Sequence, residues 1–118
     1  MILETLRNYC LGLKASTEDF PFDETTLVFR VGGKIFVFTD VEDFPLHFNL
    51  KADPEDVIDL REKYDCIKPG YHCNKKYWIT VYPDDSMPES FFLTLVKNSY
   101  EIVFNSLKKS EKEKILNQ

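Results

Sequence analysis

Residues 61–82 combine cations with aromatic side chains, a combination that can bind nucleic acid. Five cations and two acids give this stretch a net charge of +3. Lysine ammonium groups neutralise phosphates, and aromatic rings stack on bases. The pattern predicts a nucleic-acid-binding surface formed by Lys51, Lys68, His72, Lys75, Lys76 and Trp78, which His47 and Arg30 would extend. The alternative is a solvated loop whose aromatic residues, Tyr77 or Trp78, are simply buried.

The neighbouring His72 and Cys73 raise the question of nucleophilic catalysis. Adjacent side chains of an extended chain point in opposite directions, so the imidazole would not easily reach the thiol. No predicted helix begins at Cys73 to activate it. An enzyme that uses His72 as a base ranks last among the readings, because no group is visible to orient the ring. The sequence therefore predicts no catalytic residue and a non-enzymatic protein.

Metal and cofactor sites are not predicted either. The spacing of the three cysteines and two histidines matches no standard zinc site. The acids at residues 40–43 and 84–85 are explained by turns and helix caps, and Gly32-Gly33 is a hairpin turn rather than a phosphate-binding loop. An odd number of cysteines is typical of free thiols in a reducing compartment, which favours the cytoplasm.

Composition indicates an ordinary globular chain. It has 118 residues, 43% of them hydrophobic and 30% charged, which predicts one domain over residues 1–118. The mixed-sign tail at 109–118 is expected to be a solvated helix end or a frayed terminus. No stretch is long and apolar enough for a membrane helix. The net charge of −5 argues against tight nonspecific nucleic-acid binding, so any phosphate contacts must come from a local basic surface.

Periodicity predicts the elements that position these residues. Alternating or β-branched runs predict strands at 26–31, 34–39, 46–51 and 76–82, with Gly32-Gly33 closing a hairpin. Helical spacing and start signals predict helices at 2–13 and 53–64 and a long helix after a capping box at 86–89. Residues 65–75 form a connection with a turn at 68–70. The fold class is α+β: an antiparallel sheet packed against N- and C-terminal helices, with its other face partly open.

Residues 67–78, which read Ile-Lys-Pro-Gly-Tyr-His-Cys-Asn-Lys-Lys-Tyr-Trp, resemble a signature of the MmcQ/YjbR family. Supporting motifs are Phe20-Pro21-Phe22, the Gly-Lys-Ile-Phe run at 33–36, the helix start at 50–55 and Ser99-Tyr100. The resemblance covers about residues 7–109. It implies a CyaY-like two-layer sandwich and a DNA-binding role of the double-wing type.

These observations predict a non-enzymatic binding module that binds DNA weakly and in a salt-sensitive way. The lysines would contact phosphates, and Trp78 would stack on a base or support the loop from beneath. The alternative is a protein-interaction module that uses the open sheet face and its exposed aromatic residues.

Overall fold

The computed structural model describes residues 2–70 and 73–118, and within them it contains six strands and four helices. The strands are β1 (Thr17–Asp19), β2 (Thr26–Val31), β3 (Lys34–Asp40), β4 (Phe48–Lys51), β5 (Ile67–Pro69) and β6 (Trp78–Val81). The helices are α1 (Ile2–Leu11), α2 (Pro54–Lys63), α3 (Glu89–Asn105) and α4 (Lys109–Leu116). The strands form one antiparallel sheet in the order β1-β2-β3-β4-β6-β5. This confirms the predicted α+β fold class.

The β2–β3 hairpin has the predicted turn. Gly32 and Gly33 have φ values of 59° and 80°, which a side-chain-bearing residue rarely adopts. Gly32 also approaches Leu107 closely, since a Cβ placed there would lie 2.6 Å from the leucine side chain. A register shift between Phe29 and Arg30 leaves Phe36 as an extra residue on β3.

The core lies between the sheet and the helices. Apolar side chains on the helix-facing side of the central strands are fully buried, as alternation predicts: Phe29, Val37, Phe48, Leu50, Ile79 and Val81. Helix α3 covers them with Phe92, Val96 and Val103. Burial of about ten large apolar side chains, at roughly 2 kcal/mol each, is the main term that stabilises this layer packing.

The opposite face of the sheet is less open than the sequence predicts. Alternation along β4 places Asn49 on the face opposite the core, yet Asn49 is only 3% exposed, and Val28 and Thr80 on the same face are also buried. The amide of Asn49 is satisfied there: Nδ2 donates to the Phe38 carbonyl, and Oδ1 accepts a hydrogen bond from Thr80 Oγ1 at 2.7 Å. A broad exposed aromatic face for a protein partner is therefore not found in the described part of the sheet.

Three local predictions need correction. Residues 67–69 form the edge strand β5 instead of entering a turn, because Ile67, Lys68 and Pro69 pair with β6. The predicted capping box at 86–89 does not form, since Ser86 Oγ donates to Asp84 and α3 begins at Glu89. The tail forms the ordered helix α4, which buries Ile115. No helix within residues 2–70 and 73–118 is long and apolar enough to cross a membrane.

Candidate nucleic-acid interface

Strand β6 places Trp78 between two lysines that are far apart in the sequence. On one side Lys51 of β4 pairs directly with Trp78. On the other side Lys68 of β5 pairs with Thr80, which lies two residues along β6 on the same face. Directly opposite residues on paired strands lie about 5 Å apart, and diagonal neighbours lie within reach of long side chains. The structure therefore brings together three of the residues that the sequence predicted.

Lys75 and Lys76 join this cluster through a turn that Asn74 organises. The Asn74 side chain accepts a hydrogen bond from the Lys76 amide at 2.9 Å, and its carbonyl accepts from the amides of Tyr77 and Trp78. The two lysines are exposed at this turn immediately before β6. We define the basic–aromatic surface as Lys51, Lys68, Lys75, Lys76, Tyr77 and Trp78.

Each aromatic ring of this surface lies next to a lysine ammonium group, and the Trp78 ring also packs against another aromatic ring. Trp78 makes an edge-to-face contact with Phe38, with ring centroids 5.6 Å apart. Lys51 Nζ lies 5.9 Å from the Trp78 ring, and Lys76 Nζ lies 5.5 Å from the Tyr77 ring. Such contacts fix the side chains without neutralising the ammonium charge. Trp78 is half-buried between these neighbours.

The four lysines of this surface form no ion pair with the described residues. Within residues 2–70 and 73–118, no carboxylate lies within 4.0 Å of the ammonium group of Lys51, Lys68, Lys75 or Lys76. Unpaired lysines around aromatic rings are what phosphate contact and base stacking require. The surface is basic in a chain whose net charge is −5.

Two predicted extensions of this surface do not have the expected role. His47 lies at the opposite end of β4 from Lys51 and is buried; its ring packs on Tyr82 at 5.0 Å, and Nδ1 lies 2.9 Å from the Pro45 carbonyl. Arg30 forms an ion pair with Asp19 at 3.2 Å and donates a hydrogen bond to the Gly33 carbonyl at 3.1 Å. His72 lies outside the described residues, so its predicted place in the surface stays a prediction.

Two residues that position the surface were not predicted from the sequence. Ser99 of α3 accepts a hydrogen bond from the Lys51 amide at 2.8 Å and donates to the Phe36 carbonyl. Gly70 lies so close to Trp78 that an added Cβ would meet the Trp78 Cβ at 2.7 Å. A third residue that was not predicted, Asn74, could have been recognised as a turn residue from its position directly before two lysines and a strand, because Asn side chains commonly organise turns. Ser99 offered no such signal, since its partners are 48 and 63 residues away.

Two of the three cysteines, Cys10 and Cys73, lie in surroundings that suppress thiolate formation. Burial raises the pKa of Cys10 to about 12. Burial also raises the pKa of Cys73, and the nearby charge of Lys75 offsets this only in part. A nucleophilic cysteine needs a lowered pKa, so neither thiol has the properties of one. In the described ranges, no three His, Cys, Asp or Glu residues are grouped so that they could hold a metal ion.

The fold and this surface define a small α+β protein with a basic–aromatic sheet edge. The YjbR family model matches residues 11–102, and the chain belongs to that family. It is 35% identical to the Escherichia coli O157:H7 uncharacterised protein YbdF over 95% of this chain and 92% of that protein. It is 33% identical to the Escherichia coli K12 uncharacterised protein YjbR over 100% of this chain and 99% of that protein.

Two crystal structures have the same fold. The Deinococcus radiodurans protein DR2400, which carries the DUF419 domain, shares 39% sequence identity and a TM-score of 0.90, over 96% of this chain and 86% of that one. A Pseudomonas syringae protein shares 24% identity and a TM-score of 0.71, over 85% of this chain and 97% of that one. Because its sequence identity is only 24%, the Pseudomonas syringae structure supports the shared fold and nothing further.

Proposed function

We propose that this protein is a non-enzymatic DNA-binding module that uses the basic–aromatic surface. The observation that carries the proposal is the placement of Trp78 between Lys51 and Lys68, next to the exposed pair Lys75 and Lys76. The four lysines contact successive phosphates, and the accessible part of Trp78 stacks on an exposed base or packs against a sugar.

The first test is fluorescence anisotropy with a labelled DNA duplex at roughly 50 and 200 mM salt. Each phosphate contact contributes about −0.9 to the slope of log K against log salt. The variant Lys75→Ala/Lys76→Ala removes two such contacts, so its slope should be shallower by about 2 and its affinity lower at low salt. The matched control is Lys109→Ala/Lys114→Ala, which makes the same charge change on α4.

A control variant that loses as much affinity as Lys75→Ala/Lys76→Ala would show that only net charge matters. Absence of wild-type binding at the lower salt concentration would overturn the proposal. Trp78 is the only tryptophan, so its fluorescence reports the same surface directly. We expect quenching on titration with unlabelled DNA in the wild type and in the α4 control.

A second candidate function, protein interaction, is favoured by one observation away from the sheet face. Phe20, Phe22 and Phe44 are 48%, 67% and 75% exposed, and exposed large aromatic side chains are typical of contact surfaces. Their loops leave the same end of the β2–β3 ladder, where the Val41 amide donates to the Thr25 carbonyl.

A pull-down with the full chain tests this candidate. A partner of these loops should be retained by Lys75→Ala/Lys76→Ala and lost with Phe22→Ser/Phe44→Ser. Both positions are exposed, so the serine variants should fold. If every captured protein is retained by the serine variant, the aromatic loops are not the contact surface.

A further inference from the structure

A cleft of about 590 Å³ lies between α2 and α3, on the helix-covered side of the sheet. Its floor is apolar: Ile79 of β6 and Leu95 of α3 are buried beneath it. The partly exposed Leu60 and Ile102 form its two walls. The volume falls in the range of pockets that hold small organic ligands.

Both helices turn a regular stripe of side chains toward this cleft. On α3 the stripe runs through Leu95, Asn98, Ile102 and Asn105, at spacings of three and four residues. On α2, Asp56 and Leu60 are four residues apart, as are Asp59 and Lys63, so all four lie on one side of that helix. Within the described ranges, no hydrogen bond or ion pair engages the side chains of Asn98, Asn105, Asp56 or Asp59. The cleft therefore combines an apolar floor with polar groups that are free to meet a ligand.

The charge that the cleft offers to a ligand is negative. Its two lysines are directed elsewhere: Lys51 Nζ lies over the Trp78 ring, and Lys63 Nζ lies 5.6 Å from the Tyr64 ring. Neither ring lines the cleft. Glu101 lies near Lys97 at 3.9 Å. Along the α2 wall, the carboxylates of Asp53, Asp56 and Asp59 form no ion pair with the described residues.

We propose that this cleft is a binding site for a small organic cation that has an apolar body and a protonated amine. The apolar body lies against the partly exposed Leu60 and Ile102 above the buried floor, and the ammonium group meets Asp56 and Asp59. The free amides of Asn98 and Asn105 donate to or accept from polar groups of the ligand on the opposite wall. This site shares only Lys51 with the basic–aromatic surface, and the proposed ligand contacts do not involve that lysine, so the proposal does not depend on DNA binding.

Two-dimensional ¹⁵N–¹H NMR of the full chain tests the proposal with three probes of equal length: hexylammonium, hexanol and hexanoate. The amine is protonated at pH 7, as a lysine amine is. We expect saturable shifts of the Asn98 and Asn105 side-chain amides and of the Ile102 backbone amide with hexylammonium. Hexanol should bind several-fold more weakly, and hexanoate should produce no shift there.

The variant Asp56→Asn/Asp59→Asn should weaken hexylammonium binding by about threefold to thirtyfold, the range expected for two exposed charge contacts. The control Glu55→Gln/Glu62→Gln makes the same charge change on α2 at residues that do not line the cleft. Equal binding of the three probes, or no shift at Asn98 and Asn105, would overturn the proposal. An equal loss in the control would show general charge attraction instead of a site.

Discussion

At the scale of single residues, Ser99 links the helix layer to the basic–aromatic surface. Its hydroxyl is fully buried, where it accepts from the Lys51 amide and donates to the Phe36 carbonyl. One side chain therefore satisfies backbone groups on two neighbouring strands. Removal of the hydroxyl would leave a buried donor and a buried acceptor without partners, which costs more than one lost hydrogen bond at the surface.

We expect Ser99→Ala to lower the unfolding free energy by about 1 to 3 kcal/mol, because it leaves those two groups unsatisfied. Urea unfolding followed by Trp78 fluorescence measures this change. The control is Ser90→Ala on the exposed side of α3, which should change stability by less than about 0.5 kcal/mol. Equal effects of the two substitutions would mean that Ser99 does not join α3 to the sheet.

The thiol of Cys10 makes stability depend on pH in the alkaline range. Its pKa of about 12 in the folded protein is raised by burial, whereas an unfolded cysteine has a pKa of about 8.5. The folded state therefore binds the proton more tightly, and this stabilisation is complete below the unfolded pKa and lost as the pH rises toward the folded pKa. Between about pH 9 and 12, the unfolding free energy should fall by on the order of 1 kcal/mol per pH unit from this group.

The comparison that isolates this effect is Cys10→Ala, measured by urea unfolding at about pH 8, 9 and 10. The variant will be less stable at the lowest pH because it leaves a small cavity in the core. Its stability should nevertheless fall less steeply with pH than that of the wild type. Parallel curves would contradict the assignment of the alkaline loss to Cys10.

At the scale of elements, the β5–β6 edge positions the interface. Gly70 ends β5, and its amide donates to the Trp78 carbonyl at 3.2 Å. The chains approach so closely that a Cβ at this position would meet Trp78 and the Cys73 sulfur within 2.8 Å. Gly70 does not have a positive φ, so its backbone conformation does not call for glycine. The close approach of the two chain segments is what requires glycine at this position.

We expect Gly70→Ala to displace Trp78, shifting its fluorescence emission and weakening DNA binding together. The close contact involves the Trp78 backbone, so it cannot be relieved by a side-chain rotation alone. Gly12→Ala is the control, because a Cβ there meets only ordinary contacts at 3.4 Å. An unchanged emission spectrum in Gly70→Ala would show that the edge is more adaptable than its packing indicates.

At the scale of the whole molecule, two acids and two lysines lie at opposite ends of the sheet. Glu42 and Asp85 follow β3 and β6, whereas Lys75 and Lys76 precede β6. Six residues of extended chain between Trp78 and Asp84 correspond to roughly 20 Å. Screening acts over about 10 Å at 0.1 M salt and about 30 Å at 0.01 M. If DNA binds at this surface as proposed, the carboxylates of Glu42 and Asp85 should therefore act on it only at low salt.

We expect Glu42→Gln/Asp85→Asn to bind duplex DNA about twofold to fivefold more tightly than the wild type at roughly 10 mM salt. At roughly 100 mM salt the two proteins should bind alike. Anisotropy titrations at the two salt concentrations measure the ratio. A gain that persists at the higher concentration would place these acids at the DNA itself, and no gain at either would mean that DNA does not bind through this charge distribution.

The sequence by itself determined the turns, strands and helix starts that depend only on residues close together in the chain. The Gly32-Gly33 hairpin, the alternating strand around Phe48 and Leu50, and the start of α2 at Pro54 all follow from local conformational preference and periodicity. The lysines and Trp78 of the candidate surface were predicted in the same way, because their types and local charge are visible in one stretch; their role in binding stays a prediction.

Only the tertiary structure decided what depends on contacts between distant segments. Strand β5 exists because β6 pairs with it, and its three residues carry too little pattern to be recognised alone. Asn49 and His47 are buried although alternation placed them outside, since burial of a second sheet face depends on what covers it. The α2–α3 cleft likewise arises from the spacing of two packed helices, a distance that no local preference specifies.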